Sequence, residues 1–149
     1  GEEDRMEGSV ISDAVNLAAR LEGLTKLYKT QLLISEATFS KLTLEVFKTR
    51  LIDKVAVKGK DSSVLIYEVL DAEAQELFEN KNGTIKLFEE GFDFYQNQRF
   101  EEALALFHRC LELVAEDTVA ALYVERCQTL ISAGWNTETW DGVNRMETK

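Results

Sequence analysis

An asparagine and an arginine near the start of the chain carry side chains suited to chemistry on a phosphorylated sugar. Asn16 and Arg20 are four residues apart, so on a helix they project from one face, one turn apart. An amide hydrogen-bonds sugar hydroxyls, and a guanidinium presents several N–H donors to phosphate oxygens. The same spacing is also common on solvated helix faces, so alone it leaves both interpretations open.

The pattern around these two residues predicts the helix that must hold them. Residues 9–11 favour a short strand, and Ser12 and Asp13 are types that cap the N-terminus of a helix. The apolar residues that follow recur at helical spacing and include Val15, Ala18, Leu21 and Tyr28.

The rest of the first half mixes strand and helix patterns. Residues 31–35 are typical of a buried strand, and a short helix is predicted from Glu36 to about Leu42. Residues 47–57 and 64–70 are rich in β-formers and flank the turn sequence Lys58-Gly59-Lys60-Asp61, which predicts an antiparallel hairpin. This mixture indicates an α+β or α/β unit.

The pattern changes after Asp71. Long amphipathic segments predict helices at about 72–80, 84–96, 100–114 and 118–133, and helices joined by such short turns pack as antiparallel hairpins. One of these hairpins resembles a tetratricopeptide unit, with Gly91 in its first helix and Ala103 as the small residue that permits close approach. From Gly134 onward we expect an irregular tail held by Trp135 and Trp140.

Composition narrows the classes of function. The net charge is −10, with −2 in residues 1–71 and −8 in 72–149, which argues against a nucleic-acid-binding surface. Cys110 and Cys127 are too few for a disulfide framework, and free thiols suit a reducing compartment, so we expect a cytoplasmic location for this part of the protein. The sequence has no apolar run long enough for a membrane span, although the parent protein could still be membrane-anchored.

Two motifs together resemble the class III adenylate/guanylate cyclases. Residues 10–22, Val-Ile-Ser-Asp-Ala-Val-Asn-Leu-Ala-Ala-Arg-Leu-Glu, are similar to the strand and "Asp-x-Val-Asn-x-Ala-x-Arg" helix that line the nucleotide site of that family. Val57-Lys58-Gly59-Lys60, followed by the strand at 64–69, resembles a later family motif. The resemblance covers roughly residues 1–71, and the tail looks like the C-terminal extension of some bacterial members.

The resemblance implies a role for each of four residues. Asn16 matches the residue that orients the ribose, and Arg20 matches the one that stabilises charge on the α-phosphate and the bridging oxygen. Lys58 matches the residue that holds the terminal phosphates. Ser9 matches a base-reading position, where a hydroxyl that accepts a hydrogen bond from the exocyclic amine favours ATP over GTP.

The resemblance also implies cofactors and partners. The family uses two Mg²⁺ or Mn²⁺ ions, held by two Asp residues on earlier strands, and its active site is shared across a dimer interface. The residues before Ser9 do not match those strands, so we expect the metal ligands to lie outside this chain. A homodimer could also form by sheet completion or domain exchange.

Together these patterns predict an α+β organisation in two parts. Residues 1–71 are expected to form the C-terminal portion of a ferredoxin-like nucleotidyl cyclase catalytic domain, and 72–149 an all-α helical-hairpin extension. The chain is then a C-terminal fragment of an adenylate cyclase, with a guanylate cyclase as the alternative. The competing class is a non-catalytic interaction or oligomerisation module, whose helical extension binds a protein partner and whose cyclase segment is a relic.

From this division of labour we predict that purified 1–149 alone is catalytically inactive, because it supplies transition-state donors without the metal ligands. Incubation with ATP and Mn²⁺, followed by detection of cyclic AMP, tests this. Metal-dependent product formed by the isolated chain would contradict it.

Overall fold

The computed structural model describes residues 21–40, 47–57 and 62–146. Residues 21–28 are helical and are called α1 here. The elements that follow, in chain order, are β1 (Leu33–Ser35), α2 (Glu36–Phe39), β2 (Thr49–Val57), β3 (Val64–Val69), a 3-10 turn (Leu70–Ala72), α3 (Gln75–Asn82), α4 (Ile85–Gln96), α5 (Phe100–Leu113), α6 (Thr118–Ala133) and β4 (Asn144–Met146).

The strands form one mixed sheet in the order β1-β3-β2-β4. β3 pairs antiparallel with both β1 and β2, and β4 lies parallel to β2. The predicted strand at 31–35 and the predicted hairpin at 47–70 are therefore confirmed, and the structure is α+β. The predicted turn at Lys58 lies outside the described residues, and α2 ends at Phe39, before the predicted end at about Leu42.

A β-bulge interrupts β2. Leu51 is opposite Tyr67, whereas Asp53 is opposite Ile66, so one extra residue is inserted between the paired positions. The backbone N–H of Leu51 donates to the carboxylate of Glu89 on α4, at 2.8 Å. Bulges re-aim side chains locally. This one accompanies the burial of both Ile52 and Asp53, which strict alternation would place on opposite faces.

Helices α4, α5 and α6 pack in chain order, as their short connections predict. The ring of Phe107 on α5 meets Phe88 of α4 edge-on and stacks on Tyr123 of α6. A Cβ added at Gly91 of α4 would lie 3.1 Å from the Phe107 ring. Gly91 therefore permits a close approach of α4 to α5, and Ala103 is fully buried in the same core.

Side-chain caps fix two helix starts. The hydroxyl of Ser35 accepts from the backbone N–H of Thr38 at the start of α2. The carboxylate of Asp117 accepts from the N–H of Ala120 at the start of α6, at 3.1 Å. Both satisfy donors that the first helical turn leaves free.

The sheet and the helices share one apolar core. Its buried residues include Tyr28, Ile52 and Ile66 from the first half and Phe88 and Phe107 from the second. The predicted boundary at residue 71 remains a prediction, as does the tetratricopeptide character of the helices. In the described parts of the chain, no helix combines the length and apolar character needed to cross a membrane.

The C-terminal tail is more ordered than its sequence suggests. Trp140 contacts the rings of Tyr95 and Phe100, and Trp135 contacts Phe100, so both tryptophans hold the tail as predicted. The tail then ends in β4, which the sequence did not predict. Asn144–Met146 has little intrinsic strand preference, and it is extended here because β2 offers a partner edge.

We predict that Gly91→Val lowers the free energy of unfolding by about 1–3 kcal/mol, because the added atoms overpack the contact with Phe107. Chemical denaturation measures the change. The matched control is Gly23→Val, also within a helix, where an added Cβ meets nothing within 4 Å. Equal stability of the two variants would show that α4 and α5 do not approach as described.

Candidate functional site

The four sequence-predicted site residues, Ser9, Asn16, Arg20 and Lys58, lie outside the described residues. The structure does describe the elements adjoining two of them. The described residues of α1 start at position 21, directly after Arg20, and β2 ends at Val57, directly before Lys58. What holds α1 and the end of β2 in place therefore bears on this site.

The last turn of α1 is fixed by both its side chains and its carbonyls. Leu24 and Tyr28, one turn apart, are buried in the core. The helix ends as Lys29 adopts a positive φ of 54°. The hydroxyl of Thr118, the first residue of α6, donates to the free carbonyl of Tyr28 at 2.6 Å. A helix end otherwise leaves such carbonyls unpaired.

A cluster around Asp53 ties α1, β2 and α6 together. The Tyr28 hydroxyl donates to the Asp53 carboxylate. Nη1 of Arg126, on α6, lies 2.9 Å from Oδ2 of the same carboxylate, and the Lys54 backbone N–H donates to its Oδ1 at 2.8 Å. The Arg126 guanidinium also lies 5.0 Å from the ring centroid of Tyr123. The Asp53 cluster, comprising Tyr28, Asp53 and Arg126, thus connects three elements through one carboxylate.

Electrostatics keeps Tyr28 neutral and Arg126 charged at neutral pH. Burial and the negative charge of Asp53 both raise the pKa of Tyr28. Burial alone would lower the pKa of Arg126, but Asp53, Tyr123 and Tyr28 together raise it. Tyr28 therefore stays a neutral donor and Arg126 stays charged. The cluster is suited to holding α1 in place and not to transferring protons.

A second buried group of charges connects the sheet to α3 and α6. Arg50 binds Asp117 through two hydrogen bonds, of 2.7 and 3.0 Å. Its Nη2 lies 3.2 Å from Glu68, and Lys81 lies 3.2 Å from both Glu68 and Glu73. These five residues, named the Arg50 network, have side chains between 0% and 8% exposed.

Mutual attraction keeps Arg50 and Asp117 ionised. Burial alone would raise the pKa of Asp117, but the Arg50 guanidinium holds that pKa below its usual range. Burial alone would lower the pKa of Arg50, and Glu68 and Asp117 raise it instead. The guanidinium also lies over the Phe88 ring, 4.1 Å from its centroid. Because its charges are enclosed in the interior, the Arg50 network cross-links elements and is not accessible to a substrate, and within the described residues Arg50 Nε and Glu68 Oε2 have no hydrogen-bond partner.

Other titratable side chains in the described structure offer no nucleophile or metal site. Burial raises the pKa of Cys110 to about 11 and that of Cys127 to about 12, so both remain thiols at neutral pH. Within residues 21–40, 47–57 and 62–146, no group of three or more His, Cys, Asp or Glu side chains could hold a metal ion.

Some of these buried charges have a partial signal in the sequence. Arg50 and Asp53 are charged residues inside a predicted strand, which is unusual unless they are paired. Asp117 directly precedes the predicted helix at 118–133, and aspartate is a residue type that caps the N-terminus of a helix. The pairing of Arg50 with Asp117, 67 residues apart, and of Asp53 with Arg126, 73 apart, has no local signal.

The chain is similar to three proteins named as adenylate cyclases. It is 39% identical over 129 residues, 85% of its length, to the terminal-differentiation-specific adenylate cyclase of Dictyostelium discoideum. It is 54% identical over 67 residues to an adenylate cyclase of Anabaena cylindrica, and 34% identical over 70 residues to adenylate cyclase 1 of Rhizobium meliloti. No family model and no solved structure matches the chain.

The matches cover a large part of this chain in one case but only a small part of each relative. They cover 6%, 13% and 10% of the three relatives, so the chain corresponds to a small segment of each. With 129 of 149 residues matched, the similarity to the Dictyostelium protein must include most of the sheet and most of α3 to α6. The resemblance to cyclases is confirmed at the level of adenylate cyclase relatives, and the class III assignment stays a prediction.

From the Arg50 network we predict that Asp117→Asn lowers the free energy of unfolding at pH 7 by about 3 kcal/mol, because it leaves a buried guanidinium partly unpaired while Asn still caps α6. The pKa of Asp117 is depressed in the folded state, so its stabilisation is present above the ordinary value of about 4 and is lost as the pH falls below it. The difference in the free energy of unfolding between the unchanged protein and Asp117→Asn should therefore become smaller in acid.

Denaturation at pH 7 and in acid measures both effects. The control is Glu112→Gln, which breaks an exposed pair with Arg109 and should change stability by less than about 1 kcal/mol. If the difference in the free energy of unfolding between the unchanged protein and Asp117→Asn stays constant into acid, the Asp117 charge does not stabilise the fold.

Proposed function

We propose that this chain is part of an adenylate cyclase that converts ATP into 3′,5′-cyclic AMP and pyrophosphate. The observation that carries the proposal is its similarity to three proteins of that name, one of them over 85% of this chain. The described hairpin of β2 and β3 and the helical residues after Arg20 agree with the strand and helix patterns that the cyclase motifs require.

In this proposal the predicted helix carries the groups that act at the reacting phosphate. The ribose 3′-oxygen bonds to the α-phosphorus, and the bond from that phosphorus to the bridging oxygen breaks to release pyrophosphate. Asn16 orients the ribose for this attack. Arg20 donates to the oxygens on which negative charge develops, and a fixed donor aimed at developing charge stabilises the transition state more than the ground state.

Two further residues bind the nucleotide away from the reacting atoms. Lys58, which directly follows β2, holds the terminal phosphates through its ammonium charge. Ser9 accepts a hydrogen bond from the exocyclic amine of adenine, which favours ATP over GTP. The enzyme would act as a homodimer with a shared site.

The proposed enzyme class uses two Mg²⁺ or Mn²⁺ ions, which activate the 3′-hydroxyl and bind the phosphates. The side chains that the structure describes do not form a site for them. We therefore assign no step through a metal to these residues, and the proposed contribution of this chain is to bind and orient the nucleotide and to stabilise charge.

We predict that Arg20→Ala in the intact protein lowers kcat by about 10²–10³-fold, because it removes one donor to the transition state. KM for ATP should change much less. Steady-state rates of cyclic AMP formation measure both constants.

The control is Arg109→Ala, which removes an exposed arginine that forms an ion pair with Glu112 on its own helix and should leave both constants unchanged. An intact protein in which Arg20→Ala turns over ATP normally would reject the assigned role. An intact protein with no cyclase activity at all would favour the alternative of a non-catalytic interaction module.

A further inference from the structure

The C-terminal segment, defined here as residues 118–146, contacts both elements that adjoin the proposed site. It comprises α6, the tail and β4. One set of contacts reaches the last turn of α1, which follows Arg20, and another reaches the end of β2, which precedes Lys58. The contacts with α1 come from side chains of α6, whereas the contacts with β2 come from the backbone of β4.

The contacts with α1 are polar and largely enclosed. Thr118 caps the Tyr28 carbonyl at 2.6 Å, and its hydroxyl is also 3.3 Å from the Lys29 carbonyl. Arg126 reaches α1 indirectly through Asp53, which accepts from the Tyr28 hydroxyl. The Asp53 side chain is 1% exposed and that of Arg126 is 18% exposed. Charge-assisted hydrogen bonds in such surroundings are strong and geometrically specific.

The contacts with β2 are made by backbone pairing. β4 pairs with the last three residues of the strand, in the register Val55 to Asn144 and Val57 to Met146. β4 is held at its own start because the Gln96 amide donates to the Gly142 carbonyl, at 2.9 Å. The indole N–H of Trp140 donates to the backbone carbonyl of the same Gln96, also at 2.9 Å.

We propose that the C-terminal segment positions the catalytic groups of the cyclase site. Thr118 and Arg126 are positioning residues that hold α1, which directly follows Arg20 in the chain, and the pairing of β4 holds the end of β2, which directly precedes Lys58. This inference rests on the proposed function. Its physical basis is that small displacements of catalytic groups, of about 1 Å, can cost about 10²-fold in rate.

The two sets of contacts predict different kinetic defects. Loosening α1 should lower kcat, because Arg20 acts on the transition state. Loosening the end of β2 should raise KM for ATP, because Lys58 binds the terminal phosphates. A merely structural role would lower the amount of folded enzyme and leave both constants, measured per folded molecule, unchanged.

For the α1 contacts, we expect Arg126→Leu in the intact protein to lower kcat by about 10–100-fold with KM for ATP little changed. Arg126→Lys keeps the charge beside Asp53 and should recover part of the loss. Arg109→Leu removes an arginine from the surface of α5 and serves as the matched control. Normal kcat in folded Arg126→Leu would overturn the positioning role of Arg126.

For the β4 contacts, we expect Gly142→Ala to raise KM for ATP by about 10-fold. Gly142 has a positive φ of 69°, where another residue is strained. A Cβ there would push aside the Gln96 amide that donates to the Gly142 carbonyl, so the substitution loosens the start of β4. Gly83→Ala is the control, because an added Cβ there meets its nearest neighbour at an ordinary 3.6 Å. An unchanged KM in Gly142→Ala would overturn this half of the proposal.

Hydrogen exchange in the intact protein separates failure of this inference from failure of the proposed function. Thr118→Val removes the hydroxyl that caps α1 and should speed amide exchange in residues 21–28, while residues 100–113 of α5 stay protected. Unchanged exchange would overturn the physical link, whatever the activity. In a second outcome, amide exchange in α1 rises in Thr118→Val and Arg20→Ala lowers turnover, but Thr118→Val keeps a normal kcat. Thr118 would then stabilise α1 without positioning the site, and the positioning role would be overturned. A harmless Arg20→Ala with faster exchange in Thr118→Val would reject the proposed function alone.

Discussion

The buried pair of Arg50 and Asp117 is the interaction on which the arrangement of sheet and helices depends. A guanidinium enclosed in the interior must be paired, because an unpaired buried charge costs several kcal/mol. Asp117 binds it through both carboxylate oxygens and also caps α6. One residue therefore sets where α6 begins and where it lies against β2. Glu68 and Lys81 extend the same constraint to β3 and α3.

The bulge in β2 gives a second connection between the same elements. It accompanies the burial of Asp53 and leaves the Leu51 N–H to donate to Glu89 on α4. Asp53 then joins Tyr28 of α1 to Arg126 of α6. Two buried carboxylates, those of Asp53 and Asp117, thus connect the sheet to the helices. Each is paired with an arginine that is distant in the sequence. The Dictyostelium relative matches this chain across both halves, as expected if they form one packed unit.

Much of the fold could be predicted from local patterns. Helices α3 to α6 have boundaries close to those expected, because amphipathic spacing and short polar breaks report on each helix separately. The hairpin of β2 and β3 followed from its β-formers and the intervening turn sequence. β4 could not be predicted, since its extended form comes from pairing with β2 and not from its own residues. For the site, the motifs predict Ser9, Asn16, Arg20 and Lys58 but give no sign of what holds the neighbouring α1 and β2.

By itself the sequence determined the mixture of strands and helices, the type of most elements and the resemblance to cyclases, because these are encoded in residue spacing along a short stretch. Only the tertiary structure decided that Arg50 meets Asp117, that Asp53 meets Arg126 and that the tail adds a strand beside β2. Those partners are distant in the chain, and their pairing is fixed by the requirement that buried charges and backbone groups find partners once the core has closed.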